Sequence, residues 1–396
     1  MKYDFETLVN RTGTGSEKWE MMRQEMPEIS SDIVPFSIAD MEFKPAPELI
    51  DGLKSYLDQA VLGYTGATDK YYDSVIHFME RHHGFLPERE WIVEIAGIVP
   101  ALKQMVAAFT KPGESVLIMR PVYHPFTAAV EENGRNLVIS ELVEKGNTYE
   151  IDFEDLERKA SLPEVTLLIF CSPHNPVGRV WTKEELIRVC EICLKHQVYI
   201  ISDEIHFDII MPGFRHISVG NLEKKYFDNC AICTAPTKSF NMAGLQVSNL
   251  IIPDRAHREK LTMSKGYDAL NMISYKACEL AYNCCEEWLS EMIAYVDQNR
   301  KFAEEFFAEK LPMVKVFQMQ GTYLLWLDFR ALGMEAEELE RFMKHEAKLF
   351  LDEGYIFGES GRGYERLNLA CPGWVLKAAL ERLYYAVAAL PEIREK

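Results

Sequence analysis

The middle of the chain alternates short, wholly apolar runs with longer stretches whose apolar residues recur at helical spacing. Residues 165–170, apolar but for Thr166, have the pattern of a strand buried on both faces. Thr182-Lys183-Glu184-Glu185 follows as a capping box. Behind it Leu186, Val189, Cys190 and Cys193 fall on one helix face. Residues 198–201 and 231–233 are the next apolar runs. Strands alternating with helices at this spacing predict βαβ units and a parallel sheet. Upstream, 91–95 and 115–119 read as strands. Gly97 and Pro100 open an amphipathic helix carrying Leu102, Met105, Val106 and Phe109. Further helices are expected from Pro47 and over 71–83, the latter ending at Gly84.

Beyond about residue 250 the texture changes. Residues 255–310 read as long helices, 321–329 and 367–370 as strands, and 335–349 and 374–390 as amphipathic helices. The expectation is an α/β protein in two parts. Residues 46–285 form a large domain around a mostly parallel sheet. Residues 286–396 form a smaller α+β domain, to which an N-terminal arm, 1–45, contributes. Residues 1–30 read as polar and irregular, with Trp19, Met21 and Met22 free to pack. GESGRG (358–363) follows no strand-to-helix pattern and reads as a loop.

Composition narrows the function. The chain has 396 residues, 43 Lys and Arg against 61 Asp and Glu, and a net charge of −18, which disfavours nucleic acid and anionic membranes as partners. No run approaches the roughly 18 apolar residues of a membrane helix. The first residues, MKYDFETLVNRTG, lack a signal-peptide core. Nine cysteines are scattered without a framework. Cys190 and Cys193 form a lone CxxC inside a helical pattern and read as small buried hydrophobes. The expected compartment is a reducing cytosol, and no metal site is expected.

Lys238 is the unusual residue. It follows the apolar run 231–233 across a small-polar break, where α/β proteins bind ligands. A lysine there is either a loop cation or an amine that forms a Schiff base with a carbonyl cofactor. The second role needs an acid for the cofactor's ring nitrogen, an aromatic ring cover, backbone amides for a phosphate and an arginine for a substrate carboxylate. The chain offers Asp203, Tyr123, the Gly97-Ile98-Val99 turn and Arg366. Singly, each has a plain structural alternative: a loop cap, a packing ring, a turn, a surface ion pair.

Four motifs occur in order: SPHNPVGRVW (172–181), SDEIH (202–206), TKSFNMAGLQ (237–246) and RLNLACP (366–372). Together they resemble the fold-type-I pyridoxal-phosphate enzymes of the class I/II aminotransferase family. Within it the match is to the cystathionine β-lyase (C–S lyase) branch of MalY/PatB type, over most of the chain. The resemblance implies a central seven-stranded sheet in the large domain and pyridoxal 5′-phosphate held as a Schiff base on Lys238. Lys238, Tyr123 and Asp203 would be catalytic. Asn175 and His206 would lie at the cofactor's phenolate oxygen, and Asn175 would also steer the substrate carboxylate. Tyr123 would stack on the ring. Gly97, Ile98, Val99 and Thr237 would hold the phosphate, Arg366 would clamp the substrate carboxylate, and Tyr64 would reach the site of a neighbouring subunit in a homodimer. Two positions depart from the aminotransferase pattern. Gln246 stands where a phosphate-binding arginine is usual, and Ala235 where a serine is. Gln246 agrees with the lyase branch and favours elimination of cystathionine or related S-substituted cysteines. An aminotransferase on the same scaffold is the alternative, and a regulatory protein–protein role a remote one.

Overall fold

The computed structural model describes residues 1–265 and 270–390. Its first sheet contains β1 (Ile92–Ile95), β2 (Ser115–Arg120), β3 (Asn136–Lys145), β4 (Thr148–Ile151), β5 (Val165–Cys171), β6 (Tyr199–Asp203), β7 (Cys230–Thr234) and β8 (Ser248–Ile251). These eight strands lie in the order β1-β8-β7-β6-β5-β2-β3-β4. β3, β2, β5, β6 and β7 are mutually parallel. β8 runs against β7, and β1 against β8.

Burial on both faces explains the unbroken apolar runs. Val116, Ile118, Leu167 and Ile169 pack on one side with the helix Ile98–Phe109. Leu117, Met119, Leu168 and Phe170 pack on the other, because successive side chains point to opposite faces.

The expected seven-stranded sheet, β1-β8-β7-β6-β5-β2-β3, is present, and β4 extends its edge as an eighth strand. β3 pairs with β2 only through Glu141, and from Leu142 to Lys145 it pairs with β4 across a Gly146-Asn147 turn. Gly146 takes φ 59, a left-handed conformation that suits glycine in a tight hairpin. β3 is half-exposed, so its polar residues interrupt the apolar signal.

A second sheet holds β9 (Lys315–Val316), β10 (Leu324–Asp328), β11 (Asp352–Glu353) and β12 (Tyr364–Asn368), ordered β11-β12-β10-β9 and antiparallel throughout. The N-terminal segment is tied to this part of the chain. Phe36 N–H donates to Phe350 O, Asn368 N–H to Phe36 O, and Glu42 N–H to Ala370 O. Residues 1–30 are less irregular than their composition suggested. Glu17–Glu25 is a helix whose Trp19 and Met22 are buried, while Met21 points outward.

Helix ends follow the expected chemistry. Pro47 sits in the first turn of Pro47–Leu57, and Thr182 with Glu185 makes both bonds of the capping box on Lys183–Lys195. The helix Asp69–Phe78 runs into a wider turn, Met79–His83, and stops at Gly84 with φ 64. Among the described residues the stretch 255–310 holds three helices, Arg255–Lys265, Met272–Cys284 and Glu286–Lys310. The GESGRG stretch is loop with a single 3-10 turn at Glu359–Gly361. Among the described residues no helix is long and apolar enough to cross a membrane.

Candidate active site

The sheet order brings the chemistry together. The parallel strands β2, β5, β6 and β7 end at one edge and deliver Tyr123, Asn175, Asp203 and Lys238 there. β1 is reversed twice, through β8, so it runs parallel to β7 and brings Gly97 to the same edge. A cavity of about 240 Å³ opens at this edge, and Gly97, Ile98, Val99, Tyr123, Asn175, Asp203, His206, Thr237 and Lys238 all line it.

Two sequence-picked residues lie elsewhere. Arg366 does not line the cavity itself but is bonded to a residue that does, donating through Nη1 to Asn175 Oδ1 at 2.7 Å and through Nη2 to Asp352. Tyr64 is 99% exposed and does not join the chain's own site.

Lys238 sits in a single helical turn, Pro236–Ser239, directly after β7. Its Nζ donates to Ala39 O at 2.5 Å. Burial brings the amine down to about 8, opposed by the Asp40 carboxylate and helped by the Arg366 cation. Asp203 closes β6 and is buried, its Oδ1 accepting the Ile205 N–H at 3.2 Å. It has no cation at ion-pair distance among the described residues. Burial pushes its carboxyl up to about 7, resisted by the Ile205 N–H, raised further by Glu204 and lowered by Lys238. His206 is buried with Nδ1 unpartnered. Burial, with Lys238 and Arg366 nearby, brings its ring down to about 3, so the imidazole is neutral. Burial pushes the Tyr123 phenol up to about 12.

Gly97 begins the helix Ile98–Phe109 at φ 95 with no side-chain cap. The first-turn N–H groups of that helix have no carbonyl inside it, and they carry the positive end of its dipole. Such a turn suits a phosphate.

Several residues of the site were not visible in sequence. Ser248 lines the cavity with a buried, unpartnered hydroxyl. It opens β8, whose reversed direction places its first residue, not its last, at the active edge. The short apolar run 250–252 just downstream is the signal that could have pointed to this strand. Ala39 and Tyr323 were also missed; the Tyr323 hydroxyl donates to Ala39 O at 2.9 Å. Below them Lys18, 2% exposed, binds Asp40 and Glu42 at 2.8 and 2.7 Å. A buried lysine held by two carboxylates is a tertiary arrangement that no local pattern announces.

The carboxyl of Asp203 gives a pH prediction. Its folded-state value, about 7, lies above the roughly 4 of an unfolded aspartate. Between those values the folded chain holds the extra proton, so stability falls as pH rises from about 4 to about 7, by at most about 4 kcal/mol. In cofactor-free protein, Asp203→Asn is expected to flatten that decline. Urea midpoints measured across this range for both proteins check it.

Residues 31–383 match the family model described as aminotransferase class I and II. The chain is 40% identical to cystathionine beta-lyase PatB of Bacillus subtilis, over 97% of this chain and 100% of that protein. It is 30% identical to protein MalY of Escherichia coli, over 98% of this chain and 100% of that one. Among solved structures it superposes on cystalysin of Treponema denticola, which contains a pyridoxal 5′-phosphate cofactor, with TM-score 0.96 and 45% identity, covering 98% of this chain and 99% of that one.

Proposed function

Because the chain belongs to the class I and II aminotransferase family, we propose that it is a pyridoxal-phosphate-dependent carbon–sulfur lyase. It splits cystathionine or related S-substituted cysteines by α,β-elimination, giving pyruvate, ammonia and a thiol. The observation that carries the reading is the cavity in which the Lys238 amine, the Asp203 carboxyl and the Tyr123 ring meet.

The donor set fits the cofactor. Asp203 is a buried acid without a cation, which suits a protonated ring nitrogen. Ser248 Oγ and His206 Nδ1 are buried polar atoms in want of partners. The amides of Gly97, Ile98 and Val99, with Thr237 and Ser248, would hold the phosphate, and Asn175 and His206 the ring oxygen. Tyr123 would cover the ring. Bound there, pyridoxal 5′-phosphate supplies an electron sink for the charge left on the substrate when its Cα proton departs.

The protein's own part is acid–base work and orientation. Lys238 Nζ would hold the cofactor and would be the base for the Cα proton; its lowered proton affinity makes the free amine accessible near neutral pH. Asp203 would face the ring nitrogen and favour its protonated form. Arg366 and Asn175 take the substrate carboxylate and so aim Cα at Lys238.

Elimination is favoured over transamination by Gln246, a neutral residue on the cavity wall, and by the relatives named cystathionine beta-lyase. No arginine lines the cavity among the described residues. The phosphate grip then rests on amides and hydroxyls.

Borohydride reduction of the loaded protein, followed by peptide mapping, tests the assignment. A label on Lys238 is expected, and a label on another lysine would overturn it. Arg366→Ala is expected to raise KM for the amino-acid substrate on the order of 100-fold, the cost of leaving a carboxylate without its charged partner. Arg366→Lys would recover little of it, since one ammonium cannot replace the planar fork that meets Asn175 and Asp352. Steady-state kinetics of the two variants check this.

The same reading makes the protein a cytoplasmic homodimer in which exposed Tyr64 reaches the partner's site. Val61 and Leu62, 88% and 77% exposed, would be covered there. It also divides the chain into a large domain, 46–285, and a small domain, 286–396, with 1–45 as the arm.

A further inference from the structure

The irregular segment Ile38-Ala39-Asp40-Met41 bends tightly beside Lys238, with Asp40 N–H donating to Ile38 O at 3.0 Å, and is held at nearly every backbone polar group. Ile38 N–H donates to Asp352 Oδ2 at 2.9 Å. Ile38 O and Asp40 O each accept from Asn368 Nδ2, at 2.9 and 2.8 Å. Asp40 O also accepts from Lys18 Nζ at 2.9 Å. Ala39 O takes Lys238 Nζ and the Tyr323 hydroxyl. Met41 N–H donates to Asn241 Oδ1 at 3.0 Å.

This fixation works against local preference. Ile38 has φ 54, a region that a β-branched side chain enters only when its surroundings compel it. Thr322, beside Tyr323, has φ 70. Both strained positions thus flank the groups that meet at Ala39 O.

Asp352 is the point where this strap joins the rest of the site. The oxygen that accepts Ile38 N–H, Oδ2, also accepts from Arg366 Nη2. Asp352 and Arg366 face each other in register across β11 and β12. Arg366 Nη1 is meanwhile taken by Asn175 Oδ1, and its guanidinium lies over the Phe357 ring at 4.7 Å. An acid placed here offsets the cation that is meant to attract a carboxylate. Its presence is explained by position, not by attraction.

We propose that Asp352 is a positioning residue that locks the strained Ile38–Met41 strap and the Arg366 guanidinium into one unit, so that the carboxylate clamp is formed only when the strap is closed over Lys238. Substrate carboxylate then meets an arginine already oriented, and the strap carbonyl of Ala39 stays beside the reacting amine. The inference rests on the reading of Arg366 as the carboxylate clamp.

The test uses the cofactor-loaded protein and two variants. Asp352→Asn keeps an acceptor for Ile38 N–H but removes the negative charge beside Arg366, whereas Asp352→Ala removes both links. In Asp352→Ala, KM for the thioether amino acid is expected to rise at least tenfold with kcat changed less than threefold. Amide hydrogen exchange of a peptide spanning 36–41 is expected to quicken at least tenfold. Asp352→Asn is expected to keep most of the exchange protection and to show an intermediate KM. Visible absorbance of the bound cofactor is expected to be unchanged in both. If Asp352→Ala lowers cofactor occupancy and thermal stability while the loaded fraction keeps wild-type KM and wild-type exchange at 36–41, the residue is only a structural support and the proposal is overturned. Failure of the lyase reading shows differently: the wild-type protein then yields no pyruvate, whereas the exchange comparison still reports whether Asp352 holds the strap.

Discussion

Lys238→Ala is expected to reduce pyruvate formation by at least about 10³-fold, since it removes both the point of attachment and the base for the Cα proton. The fold should survive. The lysine is a buried amine whose proton affinity is already depressed, so the folded chain gives up stability to keep it there. Ala39 O keeps the Tyr323 hydroxyl as a donor after the amine is gone. Removal of the amine also ends a pH dependence. Its folded-state value, about 8, lies below the roughly 10.4 of an unfolded lysine, so wild-type cofactor-free protein gains stability as pH rises between those values. The variant is expected to lack that rise and to unfold at an equal or higher urea concentration near pH 7. Loss of activity together with a lower midpoint would instead indicate misfolding and would weaken the assignment.

Asp203→Asn is the second large effect. An asparagine has nearly the same shape at the end of β6, but it cannot stand as the negative partner of a protonated ring nitrogen. A carboxylate beside a cation is worth roughly one to three pKa units, so the proton is held about 10- to 10³-fold less well and turnover is expected to fall by at least as much. Asp203→Glu keeps the charge on a longer stem and should recover part of the loss. The check is a pair of measurements: turnover, and the pH titration of the visible absorbance of the loaded protein. Unchanged turnover in Asp203→Asn would remove Asp203 from the mechanism.

The residues that could be read from sequence share one property. Asn175, Asp203 and Lys238 each follow an apolar run, and a buried parallel strand writes its signal into consecutive residues. Their order in the chain is also their order across the sheet, β5, β6, β7, so sequence spacing led straight to a shared edge. Tyr123 and Gly97 were legible for the same reason. Ser248 was not, because it enters the edge from a reversed strand. β3 and β4 were not, because a half-exposed hairpin mixes charges into its alternation. Lys18, Asp40 and Asp352 escaped for another reason. Their roles come from contacts between distant segments, such as Asp352 with Ile38, 314 positions apart. Arg366 was picked as a partner for a carboxylate, yet its neighbours, Asn175 on one side and Asp352 on the other, only the fold could supply.

If this site breaks a carbon–sulfur bond without a second substrate, purified, cofactor-loaded protein supplied with cystathionine and no keto acid is expected to release pyruvate and free thiol steadily and in equal amounts. Turnover that begins only when a keto acid is added, with no free thiol formed, would contradict it and assign the protein to transamination.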